Sequence, residues 1–217
     1  MSRIIVIGAG GHGRVIAEAA FVSGAWSKIV FLDDRHPELS SLDEYCVIGR
    51  TDQLREIAKA DDAVAVAVGD GSRRIQYIDV ADSLGLRCPP IVHPAAYVSR
   101  GARLGSGTVV LAKAMIGVAA HLGRGCIANS GCTIDHDCRI ADGAHISPGA
   151  NLAGEVKVGR CSWIGIGATV NQVLTVGDNV IVGASAAVID DIPDGVTCVG
   201  VPARPVHIQS TTSSRDD

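Results

Sequence analysis

Aromatic side chains are scarce: two Trp, three Tyr and two Phe make up 3% of 217 residues. That excludes the stacking platforms on which single-stranded nucleic acids are held. Positive charge is not in excess either. Nineteen Lys and Arg face 23 Asp and Glu, for a net charge of −4, so no nucleic acid partner is expected. No apolar run approaches the ~20 residues of a membrane span, and no membrane partner is expected. Met-Ser-Arg leads straight into Ile4-Ile5-Val6-Ile7-Gly8 without a secretory signal, which points to a cytoplasmic location. The seven cysteines are odd in number and include no Cys-x-x-Cys pair. They are expected to be small buried hydrophobes in a reducing compartment. No His, Cys and Asp cluster has metal-ligand spacing, so no metal is expected.

Glycine is plentiful, at 26 residues, and much of the chain repeats with a period of six. Steps of six from Val98 to Val188 meet only Val, Leu or Ile, except at Ala128. Two residues before each lies a mostly small column, which includes Cys126, Cys132 and Cys138. A period of six fits neither an α-helix nor a lone strand. It is the signature of a parallel β-helix, with one short strand and one corner per hexad and three hexads per coil. The repeat supplies about five coils. Aliphatic residues stack inside, small ones fit the corners, and each coil pairs its backbone with the next.

Before the repeat, apolar strands alternate with helices. Residues 3–8 form a strand, and after the Gly8–Gly13 loop a helical pattern runs through about Ser23. A strand from Lys28 ends in Asp33-Asp34, a short helix lies near 51–60, and Asp62 to Gly69 form a third strand. A helix then runs to about Leu84. This is a small parallel α/β domain whose sheet is covered on both faces. Residues 1–94 form this Rossmann-like domain and 95–208 the β-helix. The polar tail, 209–217, is expected to be disordered. The fold class is α/β plus all-β.

Gly8-x-Gly10-x-x-Gly13 follows a strand and opens a helix, the context for phosphate binding at a helix N-terminus. Asp33 falls where a ribose-binding acid would sit. NAD fits that pattern. However, about three strands make only half a dinucleotide fold, and His12 replaces a small or apolar position. A nucleotide sugar, with one pyrophosphate, fits the smaller domain.

His136 lies two residues after the inward Ile134, in a column that also holds Arg100, Arg124, Asp142 and Arg160. It therefore faces out, with Asp135 and Asp137 beside it. A carboxylate bonded to one ring nitrogen makes the other a better base. Sequence does not say which Asp does so. Asn129 and Ser130 lie one hexad earlier. His145 and His121 also fall in an outward column; His121 has no supporting cluster and reads as surface. His93 suggests a hinge at the domain junction, and His36 and His207 read as solvated. Ile166 and Ala184 stand one coil apart in a largely polar column, which suggests an apolar groove or a subunit interface.

Taken together, Gly8-Ala-Gly-Gly-His-Gly13, Phe31-Leu-Asp33-Asp34, Gly69, His93-Pro94, Asn129 to Cys138 and Val199-Gly-Val-Pro-Ala-Arg204 resemble a known family. It is the bacterial nucleotide-sugar acetyltransferases of the sialic acid O-acetyltransferase type, and the resemblance spans residues 3 to 205. It implies a left-handed β-helix and a homotrimer with active sites between subunits. It implies His136 as catalytic base with Asp137 as its acid, and acetyl-CoA contacts at His145, Ile166 and Ala184, the last where a close relative has Gly. It implies nucleotide-sugar contacts at Gly10, Gly11, His12, Asp33, Asp34, Gly69, Asp70, Gly71 and Ser72.

The activity expected from this resemblance is acetyl-CoA-dependent N-acetylation of the 4-amino group of a UDP- or GDP-linked amino-dideoxy sugar, for surface glycan synthesis. The amine attacks the thioester directly while His136 takes its proton. A backbone N–H at a glycine-rich corner is a candidate donor to the oxyanion. A covalent acetyl-cysteine is disfavoured, because the repeat cysteines point inward without a base. Sugar or sialic acid O-acetyl transfer by the same base, and a non-catalytic binding module, are the alternatives.

Overall fold

The computed structural model describes residues 3–206. The tail at 209–217 and His207 lie outside the described residues. The chain opens with β1 (Arg3–Ile7), α1 (Gly11–Val22) and β2 (Lys28–Leu32), followed by a small hairpin of β3 (Ser41–Leu42) and β4 (Tyr45–Cys46). In place of one helix over 51–60 there is a 3-10 turn, Thr51–Gln53, and a single helical turn, α2 (Leu54–Ile57). β5 (Ala63–Val66) and α3 (Gly71–Ser83) complete the domain.

The three main strands form a parallel sheet in the order β2-β1-β5. Side chains alternate across it. Ile4, Val6 and Phe31 pack with Ile16, Ala19 and Ala20 of α1, while Ile5, Ile7 and Val64 pack with Ile75 and Ile78 of α3. Both faces are covered, as continuous apolar strands require. The first of these layers also takes in Ile91, Val109 and Leu111 from the repeat, so the two parts share a core.

The repeat is a left-handed β-helix of about six turns. Its three walls hold eight, six and five strands. Two features take it beyond the expected five coils. Ile91–Val92 already pairs with Val109–Val110, ahead of the boundary expected at 95, and Thr197–Val199 extends the same wall. The inward columns are as read: Ile116, Ile134, Ile164 and Val182 are fully buried, as are Cys132, Cys138, Ala144 and Ala150. Buried Thr108 and Ser162 each donate their hydroxyl to a carbonyl of the next coil, at Gly123 and Gly177, 2.7 Å away, which meets the need to pair a buried polar group.

At the corners, every sixth residue from Gly107 to Ser185 takes a positive φ. Glycine occupies only some of these positions; Lys113, Asp137, Glu155, Cys161 and Val173 are among the others. This backbone is unfavourable for a side-chain-bearing residue by about 1–2 kcal/mol. It persists because it aims the corner N–H groups at the preceding coil: Asp137 N–H donates to Val118 O at 3.0 Å and Glu155 N–H to His136 O at 2.9 Å.

Candidate functional site

The glycine loop divides into structural and open positions. Gly8 has φ +100°. A β-carbon on Gly13 would stand 2.1 Å from the Gly8 carbonyl oxygen, so α1 can approach the loop only with glycine there. Gly10, Gly11 and Gly69 have nothing within 4 Å of such a β-carbon. Their backbone borders open space at the carboxyl ends of the strands, where ligands of open α/β sheets bind.

Asp33 is buried, and its oxygens meet protein donors. Ala9 N–H donates to Oδ2 at 2.7 Å, Arg35 Nε donates to Oδ1 at 2.8 Å, and Arg35 N–H reaches Oδ1 at 3.1 Å. The Arg35 bond, aided by those backbone donors and opposed by burial, holds the carboxyl down at about 2. Asp33 thus ties the glycine loop to β2. Asp34 is exposed, and its Oδ1 accepts from the Thr51 hydroxyl at 2.6 Å.

The Gly69–Ser72 loop caps α3: Asp70 Oδ1 accepts Arg73 N–H at 2.8 Å. It sits on the β-helix closely enough that a β-carbon on Gly71 would lie 2.5 Å from the Gly143 carbonyl oxygen. Between this loop and the coil lies a cleft of about 370 Å³, bordered by Gly69, Asp70, Gly71, Ser72, His145, Cys161, Trp163 and Ile181. His145 points away from the coil interior, as its column requires, but the docked domain and Trp163 largely cover it. Its ring centroid is 4.9 Å from that of Trp163.

The tautomer of His145 follows from its neighbours. Ser130 N–H donates to Asn129 Oδ1 at 2.8 Å, which turns the amide nitrogen of Asn129 to His145 Nε2, 3.0 Å away. Nε2 therefore accepts, and Nδ1 carries the proton. That Nδ1, like Nε2 of His12, is buried without a hydrogen-bond partner among the described residues. Burial first, and then the Arg74 cation, lower His145 to about 3 and His12 to about 4. Both rings are neutral at ordinary pH.

His136 stands on a corner of the β-helix, its side chain half exposed. Asp135 Oδ1 accepts the His136 N–H at 2.7 Å, whereas Asp137 Oδ2 lies 3.0 Å from the ring Nδ1. Asp137 is therefore the carboxylate that orients the ring, and its positive φ turns it back to do so. A carboxylate only accepts, so Nδ1 holds the proton and Nε2 has the free lone pair. The Asp137 bond raises the His136 pKa above the usual value, with smaller contributions from Asp135 and Glu155. Nε2 lies over Gly154, one coil further on.

Within one chain the candidate residues form separate groups. Gly69 to Ser72 and His145 share the cleft. His136 follows a strand of the six-stranded wall, Thr133–Ile134. Exposed Ile166 and Ala184 follow strands of the eight-stranded wall, Trp163–Ile164 and Ile181–Val182. His136 and the apolar pair thus occupy different edges of the prism. A wider groove of about 640 Å³ along the five-stranded wall, from Arg103 to Asp194, touches none of them.

The cysteines are not all buried: Cys46 is exposed and Cys161 half-buried, the latter because it occupies a corner position rather than the inward column. Asn129, Gly154 and Arg74 have contacts that sequence reading did not assign. The three-hexad coil would have put Gly154 beneath His136. His121 Nδ1 lies 2.8 Å from the Ala119 carbonyl oxygen, and His93 Nδ1 accepts Ala95 N–H at 2.9 Å, a local turn contact. Among the described residues no group of three or more His, Cys, Asp or Glu could hold a metal ion, and no helix is long and apolar enough to cross a membrane.

The PglD N-terminal domain family matches residues 3–81. The acetyltransferase domain of PglB from Neisseria gonorrhoeae FA1090 is similar at 44% identity, over 94% of this chain and 99% of that one, with a TM-score of 0.91. A structure of that domain is in complex with acetyl coenzyme A. PerB from Caulobacter crescentus, in complex with CoA and GDP-perosamine, is similar at 33% identity over 94% and 97% of the two chains, TM-score 0.86. UDP-N-acetylbacillosamine N-acetyltransferase of Bacillus subtilis is 36% identical over 117 residues. That match spans about half of each chain, 52% of both.

Proposed function

This chain belongs to the family of acetyltransferases that join a PglD-type N-terminal domain to a β-helix of hexapeptide repeats, and from that membership we propose that it transfers the acetyl group of acetyl-CoA to the 4-amino group of a nucleotide-linked amino-dideoxy sugar. The observation that carries this reading is the His136–Asp137 pair. It presents an unprotonated Nε2 at the rim of the β-helix, with the proton on the side facing the carboxylate. The amine attacks the thioester carbonyl, Nε2 accepts the amine proton, and Asp137 balances the imidazolium that forms. A positioned base of this kind contributes about 10²–10⁴-fold. The thiolate of CoA then leaves, taking a proton from the imidazolium.

The open backbone at Gly10, Gly11 and Gly69 suits the nucleotide sugar, with Asp34, Asp70 and Ser72 as the accessible polar side chains and His12 behind them. His145, Ile166 and Ala184 are the proposed acetyl-CoA contacts. Because the base and the apolar pair lie on different edges of one prism, the complete site needs a second copy, which supports a homotrimer with its sites between subunits. Acetyl-CoA and nucleotide sugars as substrates suit a cytoplasmic enzyme whose product enters a surface glycan.

The test is acetyl transfer from acetyl-CoA to UDP- and GDP-linked 4-amino-dideoxy sugars, followed by mass spectrometry of the sugar and thiol release. Turnover with the amine and not with its hydroxyl analogue supports the reading. The reverse preference would favour O-acetyl transfer, to which a match with the galactoside O-acetyltransferase of Escherichia coli, 38% identical over 52 residues, lends support. Light scattering of the purified protein reads the trimer.

A further inference from the structure

We infer that Arg74 is a positioning residue that clamps the Gly69–Ser72 loop onto the coil bearing His145, and so sets the distance between the two substrates. The inference rests on the proposed reaction for its kinetic consequence, though not for its geometry. Arg74 projects from the first turns of α3 and is fully buried. Its guanidinium donates to four carbonyl oxygens. Two belong to Gly69, where the loop begins, and to Val68 just before it, at 2.8 and 2.7 Å. Two belong to successive coils of the β-helix, Gly125 and Gly143, each at 2.6 Å.

Among the described residues no carboxylate hydrogen-bonds this cation. Asp70 acts on it only from a distance, and burial opposes the charge more strongly; such a cation is a poor choice if stability alone is at stake, because an apolar residue of similar volume carries no desolvation cost. What the planar five-donor fork does supply is a fixed spacing between two backbones. The backbone it fixes is the one that borders the cleft. Gly69 is open on its other side, and His145 lies two residues after Gly143. The Gly71 approach to Gly143 seats the same loop sterically. Arg74 holds the rear of the nucleotide-sugar loop while its front stays free. The β-helix needs no such tie, since its coils are paired through their own backbones.

The test uses the full chain as Arg74→Lys and Arg74→Met. Hydrogen exchange is read at residues 68–72 and at the coil amides 125–146, alongside steady-state constants for both substrates. Exchange is expected to quicken at 68–72 and to stay unchanged in the coils. KM for the nucleotide-linked amine is expected to rise about tenfold or more, the scale of one lost charged hydrogen bond, while KM for acetyl-CoA moves less than about twofold. Lysine keeps the charge but not the fork, and should lie between wild type and methionine. Unchanged exchange in the loop, loop and coils opening together, or equal changes in both KM values would overturn the inference. So would failure of both variants to fold, which would make Arg74 a folding residue. If the wild type turns over no nucleotide-linked amine, the proposed function fails instead, and the exchange comparison still decides on the clamp.

Discussion

Nε2 of His136 lies so near Gly154 that a β-carbon built on that glycine would stand 2.4 Å from it. The two residues are three hexads apart, so one sits directly beneath the other on the stacked corners. Gly154 does not have a positive φ, and alanine is therefore tolerated by its backbone. The added methyl would displace the ring, and a displacement of about 1 Å can cost about 10²-fold in rate. For Gly154→Ala we expect kcat to fall by that order with the melting temperature nearly unchanged. The double variant with His136→Ala should be no slower than His136→Ala alone. Additive losses would show that Gly154 acts other than through the ring.

His136→Ala should lower kcat by about 10²–10⁴-fold with the assembly intact, because the positioned base is lost. Asp137→Asn should cost less and leave a signature in pH. Turnover needs the neutral ring, so it is lost as pH falls through a pKa that the Asp137 bond holds above the ordinary histidine value. With asparagine that support goes, and the acid limb of the kcat/KM profile should move to lower pH. Asp135 and Glu155 keep part of the shift. An acid limb that stays in place would argue that Asp137 does not set the basicity of His136.

The β-helix was legible because one column, from Val98 to Val188, repeats its chemistry in every hexad, and burial enforces that chemistry. The corner column that carries Asp137, half of the proposed catalytic pair, was not. Its backbone is set by hydrogen bonds to the preceding coil, which offset the cost of a positive φ, so Lys113, Asp137 and Val173 occupy it as well as glycine. For the same reason the choice between Asp135 and Asp137 was hidden: the two flank the ring equally in sequence, and the fold commits Asp135 to the His136 backbone N–H and Asp137 to the ring. Arg74 stayed hidden because an arginine on an amphipathic helix is normally solvated. Its burial depends on four carbonyls from segments as far as 69 residues away.

The repeat cysteines should be dispensable for chemistry. Burial pushes the thiols of Cys126 and Cys132 up to about 12 and that of Cys138 to about 11, so almost no thiolate forms near neutrality. Alanine already fills the same inward column at 114, 120, 144 and 150. The triple variant Cys126→Ala, Cys132→Ala, Cys138→Ala should fold and keep kcat within about threefold, and initial rates should follow a ternary-complex pattern rather than a ping-pong one. An acetylated enzyme caught by mass spectrometry before the acceptor is added would contradict direct attack.

Asp33 allows a prediction that separates a structural anchor from a ribose contact. Its folded pKa, about 2, lies below the ordinary 3.8, chiefly through the bond from Arg35, with Ala9 N–H adding to it. A carboxylate depressed in the folded state contributes stability that is fully present above its unfolded pKa of about 4, and that is lost as pH falls through the folded value. The melting temperatures of wild type and Asp33→Asn should therefore differ by a constant amount above about pH 5 and converge as pH falls from about 4 toward 2. The same substitution loosens Ala9 and with it the glycine loop, so KM for the nucleotide sugar should rise together with the loss of stability. A ribose contact alone would raise KM and leave the melting temperature untouched at every pH. Asp34 is exposed, and among the described residues its carboxylate is bonded only to the hydroxyl and backbone N–H of Thr51; Asp34→Asn should therefore raise KM for the nucleotide sugar and leave the melting temperature at neutral pH nearly unchanged.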